Sequence, residues 1–375
     1  MSRPDWPSVM EWCRTEQEAG RLEAGQLLVV RAGETCLDHC FGRRGDGAEV
    51  DGGTIFWLAS MTKPVTCAAA LALVEAGLFS LRTPVRQVLP EFDGARMADG
   101  RAVGDGLTVL DLMRHTAGLG PGNPEEKSLH DCYLERRVYD FASTNAVMAR
   151  RLAALPLADW PGTVFSYGLA IDLLGRVMEV AAGAPLGRIL RERVLAPLGM
   201  DDTAFRPDRA RLAGAGPLRV LAGLAPSGTE SDTWESGGGG LWSTARDYGR
   251  FAAMLMAGGS HDGRSVLAPH LARAMVEPHL PVGVGFAPGT DDLASTAPGE
   301  ATGLGFGLGV AVRVRDMRDP AGFRGEFMWP GVSGAQFWVD PANELTVVFL
   351  THAPLHRRGH RLSLRRAVHR DLGLS

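Results

Sequence analysis

Residues 58–80 read LASMTKPVTCAAALALVEAGLFS. The stretch is rich in alanine and leucine and closes on Gly77, the pattern of a buried helix with a glycine stop. It also holds Lys63, one of only two lysines in the chain. The other is Lys127, and the remaining 37 positive side chains are arginines. Ser60 and Lys63 stand three apart, so a helix opening at Ser60 carries both on one face. One reading makes Ser60 an N-cap and Lys63 a surface charge. Two details oppose it. The flanks IFWLAS and VTCAAALALV are apolar, which implies that the helix start is buried. The helix dipole also repels a cation at that end. Desolvation and the dipole both favour a neutral amine, which accepts a proton as arginine cannot. Ser60 is then a candidate nucleophile, and its own N–H, at the helix start, can help hold an oxyanion.

The rest of the composition bounds the answer. The chain has 375 residues, 45% hydrophobic and 22% charged, with a net charge of −4 and the signs well mixed. That supports a large core and two closely joined domains. The arginines are scattered, so no nucleic-acid partner is expected. The cluster Arg357, Arg358, Arg361, Arg365, Arg366 and Arg370 reads as the solvated face of a terminal helix. No secretory leader and no bilayer-length apolar run are visible, so a cytoplasmic protein with no membrane partner is expected. Five cysteines fit a reducing compartment, and Cys36 and Cys40, four apart in a strand, are too far apart to bridge. No spacing resembles a zinc site, and no metal or organic cofactor is expected.

Along the chain, 6–19 reads as an amphipathic helix, followed by strands in GQLLVVRAG and CLDHCFG with a turn at Ala32-Gly33-Glu34. Helices are expected over 107–115, 143–154, 169–182, 185–194, 243–257 and 267–276. The segments 223–240 and 281–303 read as long loops, of the kind that often carry function. Strands return in FGLGVAVRV, GAQFWVDP and LTVVFLTH, with PANE as a hairpin turn, and 361–372 is a last helix. The expected fold is α/β: one antiparallel sheet built from both termini (1–79 and 304–375), flanked by helices. A mainly helical domain, 80–303, is inserted, with the site in the cleft between them.

Taken together, LASMTKPVTCAAALALVEAGLFSLRTPVRQVLPEF, LTVLDLMRHTAGL, PGTVFSYGLAIDLLGRVMEV, LAPLGMDDTAF, GGGGLWSTARDYGRFAAML and WPGVSGAQFWVDPANELTVVFLT resemble, in this order, the serine β-lactamase and penicillin-binding-protein superfamily. The resemblance spans about 25–352 and lies nearest the class C β-lactamase-like branch that includes carboxylesterases (the family VIII esterases). It implies a β-lactamase/transpeptidase-like fold in which Ser60 is acylated, Lys63 is its proton partner and Tyr167 relays protons. Tyr167 also admits a reading as a core tyrosine. The sequence departs from the β-lactamase pattern twice. Tyr167-Gly168-Leu169 stands where Tyr-x-Asn is usual, and Trp329-Pro330-Gly331 stands where Lys-Thr-Gly is usual. Both departures resemble the esterases. They imply Leu169, Trp329 and Gly331 at the substrate, with Trp329 as an apolar wall, and a second oxyanion N–H from Val332. His115 reads as a structural helix-end residue. Gly237–Gly240 lack the Lys-Ser/Thr of a phosphate loop and read as a flexible turn lining the cleft. Trp57, Trp160, Trp234 and Trp242 are core or pocket wall.

The expected activity is that of a serine hydrolase, foremost a carboxylesterase on small neutral esters. The rivals are an acyltransferase or amide-forming enzyme using the same acyl-enzyme, a β-lactamase or D-amino-acid peptidase, and a silent binding protein on the same fold. The expected partner is a small acyl substrate. Arg324, in GFRGEF, is the candidate cation if the substrate carries a carboxylate.

Overall fold

The computed structural model describes residues 5–120, 129–214, 217–221, 225–319 and 321–374. Lys127 lies outside them. The two chain ends meet in one seven-stranded antiparallel sheet. Its strands are β1 (Ala24–Arg31), β2 (Glu34–Gly42), β3 (Leu304–Phe306), β4 (Ala311–Arg313), β5 (Phe327–Pro330), β6 (Gln336–Asp340) and β7 (Leu345–Thr351), in the order β2-β1-β7-β6-β5-β4-β3. The first strand therefore pairs with the last, Leu28 opposite Val348. β7 is buried along its whole length, which is why it reads as a continuous apolar run rather than an alternating one. The β1–β2 turn holds only Ala32 and Gly33. Glu34 already belongs to β2, and the register slips between Val29 and Val30.

Five helices position the site: α1 (Pro7–Glu18), α2 (Thr62–Glu75), α3 (Ala170–Ala182), α4 (Ala245–Met256) and α5 (Arg357–Leu372). α1 and α5 pack together, joined by Asp371, whose carboxylate accepts the N–H groups of Ser8 and Val9. α4 lies inside the 80–303 stretch expected to form the inserted domain, yet it packs on β1 and β7. α2 is the hub, with Thr62 through Leu73 all buried. It ends where the sequence stops it: Gly77 takes a positive φ of 75°, its N–H bonds the Val74 carbonyl, and the Leu78 N–H bonds that of Leu73.

The other expected helices lie within a few residues of their read limits, with one exception. The 185–194 helix is regular only over Leu186–Leu190 and continues as a wider turn to Leu195. The segment 281–303 is not a bare loop: Gly285–Phe286 pairs in parallel with Val164–Phe165, and 290–296 coils into a short helical turn. None of the described helices is long and apolar enough to cross a membrane. The five cysteines are free.

Candidate active site

Ser60 does not cap α2. It sits in a separate 3-10 turn, Ala59–Met61, that leads into the helix, and Thr62 is the first residue of α2. The turn holds Ser60 at the surface of a cavity of about 300 Å³. Lys63, one turn on, is buried at 5% exposure, so the surface-charge reading falls away. Its Nζ donates to Ser60 Oγ at 3.2 Å and to the Gly238 carbonyl at 2.6 Å. Tyr167 comes from the turn before α3 and donates its phenol to the same Ser60 Oγ at 2.7 Å. The Lys63 ammonium lies 4.7 Å from the centre of the Tyr167 ring. Residues 60, 63 and 167, 107 positions apart at the extreme, thus form one hydrogen-bonded cluster.

Behind Tyr167 stand His115 and Trp329, with ring centres 4.8 and 5.4 Å away. His115 is fully buried at a positive φ of 57°. Burial, followed by the charge of Lys63, pushes its imidazole well below the usual range. It is an uncharged ring supporting Tyr167 and makes no bond to Ser60.

The cavity wall also includes Ser166, Trp329, Pro330 and Val332, with Ala287, Pro288, Gly289, Thr290 and Leu293 from the 281–303 segment. Trp329 occupies the position read as an apolar wall. Gly331 is buried where the strand end passes the nucleophile turn: a Cβ there would collide with the Leu58 carbonyl oxygen. The Val332 N–H that follows has no acceptor among the described residues, and Val332 lines the same cavity as Ser60. Leu169 is a correction. It is 1% exposed in the core at the start of α3 and does not line the cavity.

The glycine run corrects a second expectation. Gly237–Gly240 form a tightly bonded turn, not a flexible one. Gly237 accepts Thr66 Oγ1, Gly238 accepts Lys63, and Gly239 accepts the Trp57 indole. The same turn is held by Asp172, which the sequence reading passed over. Trp57, Trp234 and Trp242 are buried core, and Trp160 is a partly exposed surface residue stacked on Arg101.

The arginines of α5 are a third correction, since they do not share one solvated face. Arg358, Arg366 and Arg370 are exposed, but Arg361 and Arg365 are buried at 8% and 5%. Arg365 pairs with Glu326, a fully buried acid that also meets Arg313 at 3.4 Å. Arg361 and Arg357 line the cavity beside Ser60. The Nη2 of Arg361 reaches the Gly331 carbonyl at 3.4 Å, and its Nε has no partner. Burial and then the neighbouring Arg357 push its pKa down. Arg324 is exposed on another part of the surface and does not line the cavity. Helical phase explains the difference: 357, 361 and 365 are spaced by four and share one stripe of α5.

A cavity-facing serine that accepts hydrogen bonds from an amine and a phenol, just before the N-terminal end of a buried helix, is the arrangement that serine acyl transfer requires. The chain belongs to the Beta-lactamase family, matched over residues 11–369. It is similar to Protein Rv1367c of Mycobacterium tuberculosis, with 33% identity over 92% of this chain and 89% of that protein. It is also similar to Esterase EstB of Burkholderia gladioli, with 31% identity over 88% and 86%. Among solved structures it is similar to EstCE1, a hydrolase with promiscuous acyltransferase activity. That match has a TM-score of 0.79 at 25% identity and covers 96% of this chain and 97% of the other. The protein is a serine hydrolase or acyltransferase of the acyl-enzyme type with the β-lactamase/transpeptidase-like fold.

Proposed function

We propose that the protein is a carboxylesterase in which Ser60 is the acylated nucleophile. The observation that carries this reading is the convergence of Lys63 Nζ and Tyr167 OH on one cavity-facing Ser60 Oγ. Ser60 Oγ attacks the ester carbonyl and its proton passes into the Lys63–Tyr167 pair. The N–H groups of Ser60 and Val332 receive the developing oxyanion, where preorganised donors act most strongly. Collapse of the tetrahedral species breaks the bond to the alcohol oxygen, which takes the proton from the same pair. Water then attacks the acyl-enzyme, and the proton path runs in reverse to release the acid and Ser60.

Esterase relatives and the Trp329-Pro330 wall favour an ester over a β-lactam or a D-amino-acid peptide. Arg357 and Arg361 on the wall favour an ester with an anionic group near the scissile bond over the strictly neutral ester expected from sequence. A second reading, transfer of the acyl group to an alcohol or amine, is supported by the likeness to a hydrolase with promiscuous acyltransferase activity.

Intact mass after treatment with a fluorophosphonate tests the nucleophile. Wild type gains one adduct and Ser60→Ala gains none. A variant that still hydrolyses esters at the wild-type rate ends the assignment, and a wild type that neither labels nor turns over leaves a binding protein. Product analysis with competing alcohols and amines divides hydrolysis from transfer. Paired esters with and without an adjacent carboxylate, on wild type and Arg361→Met, test the anionic preference.

A further inference from the structure

Asp172 lies in the first turn of α3, 4% exposed, and forms no ion pair with an arginine or lysine among the described residues. Its Oδ1 accepts Ser236 Oγ at 2.5 Å and the Gly238 N–H at 3.0 Å. The carbonyl of that same Gly238 accepts Lys63 Nζ at 2.6 Å. A Cβ on Gly238 would collide with Asp172 Oδ2, so any larger residue there would displace this carboxylate. One residue thus takes a buried carboxylate on its N–H and a buried ammonium on its C=O. A buried acid and a buried cation, each without an ion partner among the described residues, are spaced by the width of one residue.

We propose that Asp172 is a positioning residue for the Ser60–Lys63–Tyr167 cluster: it clamps the 236–240 turn so that the Gly238 carbonyl aims Lys63 at Ser60, and it is the counter-charge of Lys63. Its role in the reaction rests on the acyl-enzyme reading above, but its charge coupling to Lys63 does not. Burial raises the Asp172 pKa, and the Lys63 charge, Ser236 and Gly238 each oppose that rise. The titratable groups around Asp172 are few. Lys63 faces it from α2. The Tyr139 phenol feels its charge and, mainly through burial, is raised and stays neutral. Glu235, next to Ser236, is paired with Arg206.

The test uses the chain's two lysines. Lysine labelled with 15N at Nζ gives two side-chain signals, and the one absent from Lys63→Met is Lys63. In Asp172→Asn, which keeps the size and an acceptor oxygen, the Lys63 signal is expected to reach its midpoint at a lower pH than in wild type, the effect of removing a nearby opposite charge. An unmoved midpoint, with Asp172→Asn folded, overturns the counter-charge role and leaves Asp172 as a helix-end clamp. A second measurement does not need that variant to fold. In Lys63→Met the buried carboxylate has lost its counter-charge, its pKa rises further, and the folded state binds a proton that the unfolded state has lost. The loss of Tm relative to wild type is therefore expected to be larger at pH 8 than at pH 5. Equal losses at both pH values overturn the proposal. Kinetics separate it from the reading it rests on. If the Lys63 midpoint falls and the acid limb of kcat/KM moves down with it, at unchanged KM, both stand. If the midpoint falls and the limb does not move, Lys63 is not the proton acceptor and its role in the acyl-enzyme reading fails, while the charge pair stands.

Discussion

Removing one oxygen atom, in Tyr167→Phe, separates the catalytic and structural roles of that residue. The ring keeps its neighbours in the variant: His115 at 4.8 Å, Trp329 at 5.4 Å and the Lys63 ammonium at 4.7 Å. What disappears is the 2.7 Å bond to Ser60 Oγ. Tyr167 is half-buried beside an open cavity, and Ser60 Oγ retains Lys63. Stability is therefore expected to fall by about 0.5–1.5 kcal/mol, the net value of one hydrogen bond. The rate is expected to fall by about 10²–10⁴, the range for loss of a positioned proton-transfer group, or roughly 3–5 kcal/mol of barrier. The assay is kcat/KM on an activated ester beside a urea titration of the same preparation. A variant within about tenfold of wild type, with a stability loss of the predicted size, refutes the proton role and returns Tyr167 to the status of a core tyrosine with a satisfied hydroxyl.

Three further outcomes follow from the same geometry. Lys63→Arg is expected to be nearly as inactive as Ser60→Ala in ester turnover, because the cation is kept but the exchangeable proton is lost. Retained activity would make Lys63 only a charge. Glu326→Gln leaves Arg313 and Arg365 buried without their acid, so urea unfolding is expected to show a loss of about 3–5 kcal/mol, and a loss below 1 kcal/mol would show the pair to be dispensable. The fourth prediction concerns pH. Burial pushes His352 down to about 4 and His369 down to about 3. His352 Nε2 accepts the Trp57 N–H at 3.0 Å, which requires the neutral ring. Both are depressed in the folded state, so the unfolded chain binds more protons below pH 6.5. Stability is then lost as pH falls from about 6.5 toward 4, by roughly 1.4 kcal/mol per pH unit for each histidine. His352→Asn is expected to flatten the dependence of the urea midpoint on pH, and an unchanged slope would contradict it.

The spacing of Ser60 and Lys63, the apolar flanks that bury them, and the Gly77 stop are local properties, and a chain of α-helical pitch expresses them directly. The strands at both ends are likewise legible, because a run such as LTVVFLT must be covered on both faces. The family resemblance supplied Tyr167, which nothing within its own segment marks out. Other features depend on which segments are neighbours in space. Asp172 reads as an ordinary first-turn acid, and Gly237–Gly240 read as a loose turn, until folding brings them against α2. Each then satisfies a buried group that the other leaves open. Leu169 was read at the substrate because it stands where the resembled motif usually has Asn, but a step of two residues at the start of a helix turns the side chain into the core.

The α5 arginines show the division most sharply. Composition marks six arginines on a terminal segment, and a terminal segment favours solvent. Burial is set by what packs over the helix: β5 and the 290–296 turn cover the stripe that holds Arg361 and Arg365. Covalent order carries periodicity, caps and turn chemistry, because these act within a few residues of one another. It carries no record of the long-range contacts that choose which polar side chains lose water. Ser60 could therefore be named from its own short segment, whereas the charges that surround it were decided only when distant segments closed over it.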